Sequence, residues 1–209
     1  MLPSLNRLLK MNQSGTVLDN PTVPVVLIPI KDFRRAKRRL APELTPDKRE
    51  ALAKRMASQV IKAARPLDIY IVCNDHEVAK WAESNNVNVL WVNQEGLNHS
   101  ISGAVKELDT NIGHVLIAHS DLPLAKSFAG IGRPNTVSIV PDRHLLGTNV
   151  LSLPLGSNFN FRYGQNSLSA HIDETKKHGL NLEILQIPEL QWDVDTPEDL
   201  LTFLKPRTP

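Results

Sequence analysis

Residues 25–30 read VVLIPI, an uninterrupted apolar run that is rich in β-branched side chains. Such a run suits a strand that is buried on both faces, as in a parallel sheet. Further strands are predicted at 69–75, 87–92, 114–121, 136–142, 149–154 and 182–188, and helical patterns separate most of them. Strands that alternate with helices predict an α/β fold with a mostly parallel central sheet and helices on both faces.

The longest predicted helix begins at Thr45. This residue offers a capping hydroxyl, Pro46 suits the first helical position, and Asp47 lies near the positive end of the helix dipole. Apolar residues then continue at helical spacing to about Arg65. Other helices are predicted at 76–85, 97–108 and 167–178, and a last helix begins at Thr196.

Composition indicates one globular domain. The chain has 209 residues, of which 41% are hydrophobic and 22% are charged. Residues 1–22 are polar and are predicted to form a flexible N-terminal tail, which leaves 23–205 as the domain. A single cysteine, Cys73, excludes an intramolecular disulfide and is typical of a reducing cytoplasm. No apolar run approaches the ~20 residues of a membrane span, and no secretory signal is expected, although Met1 and Met11 are both candidate starts.

Three acids that follow predicted strands are candidate metal ligands. Asp121 closes the strand at 114–121, and Asp193 and Asp195 follow the strand at 182–188. A spacing of two in extended backbone directs both side chains to the same side. A cation removes the repulsion between such acids, and an oxygen-only site completed by water and substrate phosphates suits Mg²⁺.

Part of this pattern also has a purely structural interpretation. Thr196 and Asp199 form a capping box at the start of the last helix, and the sequence Asp-Leu-Pro that begins at Asp121 is typical of a turn. Neither feature explains Asp193 or Asp195, which precede the cap. The three acids together therefore favour a metal site.

A basic segment, KDFRRAKRR at 31–39, directly follows the first strand and contains six cations. The sequence lacks G-x-G-x-x-G and G-x-x-x-x-G-K-[ST], which counts against a dinucleotide oxidoreductase and a P-loop enzyme. Side-chain cations would therefore meet phosphates here, and Lys31, Lys37 and Arg39 are the candidate catalytic residues. The alternatives are a solvated basic face and a nucleic-acid patch, but Phe33 is the only aromatic residue in the segment.

Several stretches together resemble one enzyme family. They are IPIKDFRRAKRRLAPELTPDKR (28–49), EGLNHSI (95–101), HSDLPL (119–124), PDRHLLGTNVLSLP (141–154), and FRYGQNSLSAH (161–171) followed by DVDTPEDL (193–200). In this order they resemble the guanylyltransferases of deazaflavin coenzyme F(420) biosynthesis, which join GMP to 2-phospho-L-lactate in archaea or to phosphoenolpyruvate in many bacteria. The resemblance implies a single-domain, Rossmann-like nucleotidyltransferase fold.

The resemblance also implies roles for individual residues. These are metal binding by Asp121, Asp193 and Asp195, nucleotide binding by Gly96 and Asn98, and binding of the acceptor's carboxylate and phosphate by Thr148, Gly164 and Ser167. Local chemistry is compatible with the acceptor group, because Gly164 and Ser167 lie at a predicted helix N-terminus, a natural anion site. The alternative for Ser167 is that it is a plain N-cap. Beside Thr148, the small residue Gly147 would let backbone N–H groups approach an anion.

The expected reaction is transfer of GMP from GTP to a small phosphorylated carboxylic acid, with Mg²⁺ as cofactor and release of pyrophosphate. Phosphoenolpyruvate is favoured over 2-phospho-L-lactate, and 3-phosphoglycerate, a sugar phosphate or molybdopterin are alternative acceptors. No nucleic acid or membrane partner is expected, and a homodimer is kept as an option. A non-catalytic nucleotide sensor would not need three converging acids, so their presence disfavours it. A nucleic-acid-binding function would account only for the basic segment and predicts binding that weakens steeply with salt.

Overall fold

The computed structural model describes residues 24–109 and 112–204, which form a seven-stranded sheet covered by helices. The strands are β1 (Val25–Pro29), β2 (Ile69–Cys73), β3 (Asn88–Trp91), β4 (His114–Ala118), β5 (Thr136–Pro141), β6 (Thr148–Pro154) and β7 (Asn181–Ile184). The helices are α1 (Pro46–Ala64), α2 (His76–Ser84), α3 (Leu97–Glu107), α4 (Ser167–Lys177), α5 (Pro188–Gln191) and α6 (Pro197–Leu204). None of the helices described is long and apolar enough to cross a membrane.

The sheet has the strand order β3-β2-β1-β4-β6-β5-β7. Strands β1 to β4 are parallel, whereas β6 is antiparallel to both of its neighbours, β4 and β5, and β7 is parallel to β5. The prediction of a mostly parallel sheet is therefore confirmed. Because β6 runs in the opposite direction, its first residue, Thr148, lies at the same edge of the sheet as the carboxyl ends of the parallel strands.

Alternation along β1 builds the two hydrophobic cores. Val26 and Ile28 face one side with apolar residues of α1 and α2, and Val25 and Leu27 face the other side with residues of α3 and α4. Full burial of Leu27 alone contributes about 1.5–3 kcal/mol relative to an exposed side chain. The predicted arrangement of helices on both faces of the sheet is thus confirmed.

A third, smaller core fixes the relative position of two loops. Leu40 of a short 3₁₀ turn, Met56 of α1, Val194 and Leu200 of α6 pack together and are buried. This contact holds the basic segment after β1 against the segment that carries Asp193 and Asp195.

The predicted helix and strand limits are close to the observed limits except at the ends of β4 and β7. The strand predicted at 114–121 ends at Ala118, so Asp121 lies in the loop after β4 and does not close the strand. The strand predicted at 182–188 ends at Ile184, because Pro188 begins the short helix α5 that the sequence reading did not include. The predicted cap is confirmed at Thr45, which accepts a hydrogen bond from the Lys48 N–H at 3.4 Å. The predicted tail at 1–22 lies outside the described residues.

Candidate active site

A cleft of about 750 Å³ opens beyond the carboxyl ends of β1 and β2, where ligands of open α/β sheets bind. Its lining includes Lys31, Arg35, Lys37, Arg38, Arg39, Asn74, Asp75, Glu95, Ser120, Asp121 and Asp195. A second cavity of about 230 Å³ shares Ile30, Lys31 and Asn74 with this cleft and extends to Val92 and Gly96. The fold therefore joins a large charged cleft to a smaller, more apolar slot.

Lys37 forms the electrostatic centre of the cleft. Its Nζ lies 2.6 Å from Asp121 Oδ2 and 2.7 Å from Asp195 Oδ1, and only 8% of its side chain is exposed. The backbone of Lys37 is left-handed, with φ 53° and ψ 40°, at the start of the 3₁₀ turn. A non-glycine residue seldom adopts this conformation, so the surrounding contacts hold the ammonium in place. Lys37 is predicted to meet phosphates, whereas in the structure it binds two of the predicted metal ligands.

Burial and charge act in opposite directions on these groups. Desolvation favours the neutral amine of Lys37, but Asp121 and Asp195 outweigh it and raise its pKa. Desolvation likewise favours the neutral acid of Asp121, but the charge of Lys37 and its hydrogen bond keep the pKa of Asp121 below its usual value. Both partners of this ion pair are therefore charged at neutral pH.

Asp193 has a different environment from its two partners. Burial raises its pKa first, and repulsion from Asp121 and Asp195 raises it further. This repulsion shows that the three predicted metal ligands lie within electrostatic reach of one another. A cation beside Asp193 would remove that penalty.

Arg143 contacts the Asp-x-Asp segment, although its sequence position predicts no role for it. Its Nη1 donates to the backbone oxygen of Asp193 at 3.1 Å and lies 3.7 Å from Asp193 Oδ1. Its guanidinium also binds Asp199 and stacks on Trp192, with 4.4 Å between Cζ and the ring centroid. The available signal was an arginine at the end of β5, within a stretch already assigned to the family resemblance.

Asp199 does more than close the predicted capping box. The box itself is confirmed, because the Thr196 N–H donates to Asp199 Oδ2 at 2.8 Å and the Asp199 N–H donates to Thr196 Oγ1 at 3.3 Å. Oδ2 also accepts the Asp195 N–H at 2.9 Å. Asp199 and Arg143 thus hold the backbone on both sides of Val194, which orients the two acids of the Asp-x-Asp pair.

The three carboxylates offer oxygen donors of the kind that Mg²⁺ prefers. Asp121 Oδ1 is buried and has no hydrogen-bond partner in the part of the chain that the structure describes, although its other oxygen binds Lys37. Within 24–109 and 112–204, no three His, Cys, Asp or Glu side chains are arranged closely enough to hold a metal ion. The ammonium of Lys37 instead bridges Asp121 and Asp195. The unpaired Asp121 Oδ1 and the raised pKa of Asp193 are both compatible with a cation bound beside these acids. Binding of Mg²⁺ by the three acids stays a prediction.

The other predicted catalytic cations lie at the cleft surface. Arg39 Nη1 is 4.0 Å from Asp195 Oδ2, and 77% of its side chain is exposed. Lys31 is exposed and lines both cavities. Arg34 pairs with Asp32 and Asp75, so it is already neutralised.

The two predicted nucleotide-binding residues have separate roles. Gly96 lines the smaller cavity and is the N-cap of α3, with no side chain to cap the helix. Asn98 instead forms two hydrogen bonds with the backbone of Tyr163: its Nδ2 donates to the carbonyl at 3.0 Å, and its Oδ1 accepts the N–H at 2.7 Å. Asn98 therefore links α3 to the loop that precedes Gly164.

The predicted acceptor residues surround the start of α4. Ser167 is the first residue of α4 and is buried, whereas Asn166 is the N-cap, so the alternative that Ser167 is a plain N-cap is wrong. Gly164 has φ 137°, a conformation that favours glycine. Thr148 Oγ1 lies 3.0 Å from Nδ1 of the buried His171.

Gly147 has a different reason to be small from the one inferred from sequence. A Cβ added there would lie 2.7 Å from Asp142 Oδ2. Asp142 needs this space because its Oδ1 accepts the Leu146 N–H at 2.9 Å, which closes the turn between β5 and β6. The glycine thus serves the turn that leads into Thr148.

His119 connects the acid cluster to the acceptor residues. Its backbone N–H donates to the Asn149 carbonyl at 3.0 Å, and the centroid of its ring lies 5.3 Å from that of Tyr163. It follows β4 by one residue and precedes Asp121 by two. The predicted metal ligands and the predicted acceptor residues therefore lie at the same edge of the sheet.

Comparison with known proteins identifies the family to which this geometry belongs. Residues 24–205 match the family described as guanylyl transferase CofC like. A phosphoenolpyruvate guanylyltransferase from Chloroflexus aggregans is 32% identical over 200 residues, which cover 88% of this chain and 98% of the relative. A 2-phospho-L-lactate guanylyltransferase from Methanocaldococcus jannaschii is 30% identical over 181 residues, which cover 84% and 80% of the two chains.

The fold comparison agrees with this match. A nucleotidyl transferase from Methanothermobacter thermautotroptrophicus superposes with a TM-score of 0.60 at 14% identity, covering 87% of this chain and 95% of the other. The resemblance inferred from the ordered motifs and the Rossmann-like nucleotidyltransferase fold are thus both confirmed. The cleft lies at the edge of the sheet where ligands of such folds bind. Because the family match covers residues 24–205, the chain belongs to the CofC-like guanylyl transferase family.

Proposed function

We propose that the protein transfers GMP from GTP to a small phosphorylated carboxylic acid and releases pyrophosphate. Phosphoenolpyruvate is the favoured acceptor, and 2-phospho-L-lactate is the second candidate. The observation that carries the proposal is the pairing of Asp121 and Asp195 with Lys37 in a cleft that is large enough for a nucleoside triphosphate, with Asp193 near enough for the two acids to raise its pKa. In this proposal the reaction belongs to coenzyme F(420) biosynthesis in the cytoplasm, without a nucleic-acid partner.

The two joined cavities provide separate places for the parts of GTP. The smaller slot has apolar walls from Ile30, Val72 and Val92, which suit a nucleobase. The larger cleft carries the cations of the basic segment, which suit the triphosphate. Gly96 leaves the first N–H groups of α3 uncapped by a side chain beside the slot, which adds a favourable field for an anion.

Mg²⁺ held by Asp121, Asp193 and Asp195 would neutralise charge on the phosphates and polarise the α-phosphorus. The remaining work falls to the protein. Arg143 and Asp199 hold the backbone of the Asp-x-Asp pair, and Lys31 and Arg39 present positive charge to the departing pyrophosphate. No general base is required, because the attacking phosphate oxygen of the acceptor is already ionised; catalysis rests on positioning and on charge neutralisation.

In this proposal the acceptor binds at Thr148, Gly164 and Ser167. Ser167 is buried at the first position of α4, where backbone N–H groups and a hydroxyl favour an anion. Asn98 ties this loop to α3, so the nucleotide and acceptor sides are mechanically connected. The bound acid would thereby be held in a fixed orientation towards GTP.

Pyrophosphate release tests the proposal directly. The protein is incubated with GTP, Mg²⁺ and, in parallel, phosphoenolpyruvate, 2-phospho-L-lactate, 3-phosphoglycerate or a sugar phosphate. We expect release with phosphoenolpyruvate or 2-phospho-L-lactate and little release with the other two acceptors. Release with a sugar phosphate alone would replace the proposed acceptor class, and no release with any acid would refute the assignment.

The metal site is tested with the double variant Asp193→Ala plus Asp195→Ala. We expect this variant to lose activity and to lose Mg²⁺ binding measured by calorimetry. Asp173→Ala removes an acid from the exposed face of α4, where its side chain is 73% exposed, and serves as the matched control. Full activity in the double variant would exclude the proposed metal ligands.

A further inference from the structure

His171 makes two hydrogen bonds to the acceptor side of the site. It lies on α4, one helical turn after Ser167, and is fully buried. Its Nε2 lies 3.0 Å from the backbone nitrogen of Arg162, and its Nδ1 lies 3.0 Å from Thr148 Oγ1. One imidazole thus connects α4, the loop before Gly164 and the first residue of β6.

The contact with Arg162 fixes the proton on the ring. A backbone N–H can only donate, so Nε2 must accept, and a neutral ring then carries its proton on Nδ1. Burial lowers the pKa of His171 to about 4, which keeps the ring neutral at physiological pH. Nδ1 therefore donates to Thr148 Oγ1.

This donation also determines the role of the Thr148 hydroxyl. An oxygen that accepts from Nδ1–H keeps its own proton for another acceptor, because that proton cannot point back at the ring. The side chain of Thr148 has no other hydrogen bond recorded among the described residues. Its hydroxyl is thus set to donate, which is the polarity that a phosphate or carboxylate oxygen requires.

We propose that His171 is a positioning residue for the acceptor, which fixes the Thr148 hydroxyl as a donor and holds the Arg162–Gly164 loop beside it. The inference rests on the proposed function and adds a residue to it. A purely structural histidine would need only the contact with Arg162. The two contacts can be separated, because each ring nitrogen has its own amide mimic.

Steady-state kinetics with GTP and phosphoenolpyruvate measure the effect on each substrate. In His171→Leu, which keeps the apolar volume, we expect the KM for the acceptor to rise about tenfold, the scale of one lost hydrogen bond, while the KM for GTP changes less than about twofold. His171→Asn places an amide N–H near the position of Nδ1 and should restore the acceptor KM. His171→Gln places an amide oxygen near Nε2 and should restore thermal stability but not the acceptor KM.

A double-variant cycle with Thr148→Val adds a second readout. If His171 acts through the hydroxyl, His171→Leu should raise the acceptor KM no further once the hydroxyl is absent. His178→Leu is the matched control, because His178 is the C-cap residue of α4 and its ring binds Glu174 at 2.8 Å instead of Thr148. Calorimetric binding of phosphoenolpyruvate to each variant checks the kinetic result.

Each outcome supports or overturns the inference. Equal changes in the two KM values, rescue by Gln instead of Asn, or additive effects with Thr148→Val would each overturn it while leaving the proposed function intact. A wild-type protein that releases no pyrophosphate with any acid would overturn the proposed function and this inference with it. A melting temperature within a few degrees of wild type in His171→Asn shows that the comparison is made on folded protein.

Discussion

Replacing Lys37 with Met removes the cation that bridges Asp121 and Asp195 but keeps a side chain of similar length. The left-handed backbone at this position is strained for any residue with a Cβ, so the substitution adds no new backbone strain. The two acids then face each other and Asp193 without their internal counter-ion. We expect the metal-free protein to be destabilised for this electrostatic reason.

The magnitude follows from the burial of the pair. Removal of one partner of a fully buried ion pair costs about 3–5 kcal/mol. Asp121 is 23% exposed and Asp195 is 45% exposed, so solvent screening reduces the expected loss to about 2–3 kcal/mol. For a domain of this size, that corresponds to a fall in melting temperature of roughly 4–12 °C.

Urea unfolding with and without Mg²⁺ measures this loss. Mg²⁺ should stabilise Lys37→Met more than wild type, because the cation has no ammonium to displace from the two acids. The control is Lys126→Met, which breaks a 2.8 Å contact with Glu189 at a lysine that is 72% exposed, and it should cost less than about 1 kcal/mol. Equal stabilities of Lys37→Met and Lys126→Met, or an equal response to Mg²⁺ in Lys37→Met and wild type, would refute the reasoning.

Three further predictions concern groups around the cleft and the core. Burial lowers the pKa of His114 to about 4, so the stability that its neutral ring contributes is complete above pH ~6.5 and is lost as the pH falls towards 4. In His114→Gln the slope of the unfolding free energy against pH, measured between pH 4 and 6.5, should fall by up to about 1.4 kcal/mol per pH unit. An unchanged slope would contradict this prediction. Asn98→Ala removes both hydrogen bonds to the Tyr163 backbone and should lower the free energy of unfolding in urea by about 1–3 kcal/mol while raising the KM for the acceptor. A change in the KM for GTP alone would disprove that Asn98 acts on the acceptor side. Arg143→Met leaves the buried Asp199 without its cation and should lower the free energy of unfolding by roughly 2–4 kcal/mol. It should also lower kcat, and a wild-type kcat in this variant would show that Arg143 does not orient Asp193.

The fold could be predicted well because its signals are local and repeated. The run at 25–30 and the cap at Thr45 each depend on a few neighbouring residues, and both are found in the structure. The end of β7 was predicted too late, because the apolar residues near Pro188 continue the strand pattern while the proline starts a helix. The reversed direction of β6 was also missed, since apolar alternation carries no information on strand direction.

The site was harder to predict where a residue acts through a distant partner. The acids could be selected because no cap explains Asp193 and Asp195. The contact between Lys37 and Asp195, by contrast, depends on the small core around Leu40, which brings together residues that are 158 positions apart in the chain. Arg143 and His171 were left without a role for the same reason: neither the contact with Asp193 nor the contact with Thr148 can be read from neighbouring sequence.

The reversal of β6 has a consequence for the evolution of substrate range. Because β5 and β6 are neighbouring antiparallel strands, residues 142–147 form a hairpin turn at the edge of the sheet where Thr148 lies, and this turn contains the exposed Leu145 and Leu146. A hairpin turn can change length or composition without moving the strands that it joins. If the proposed function holds, substitution of Leu145 and Leu146 alone, with Arg143 and Asp142 kept, is therefore a route by which the range of acceptors could change without any change in β1 to β3.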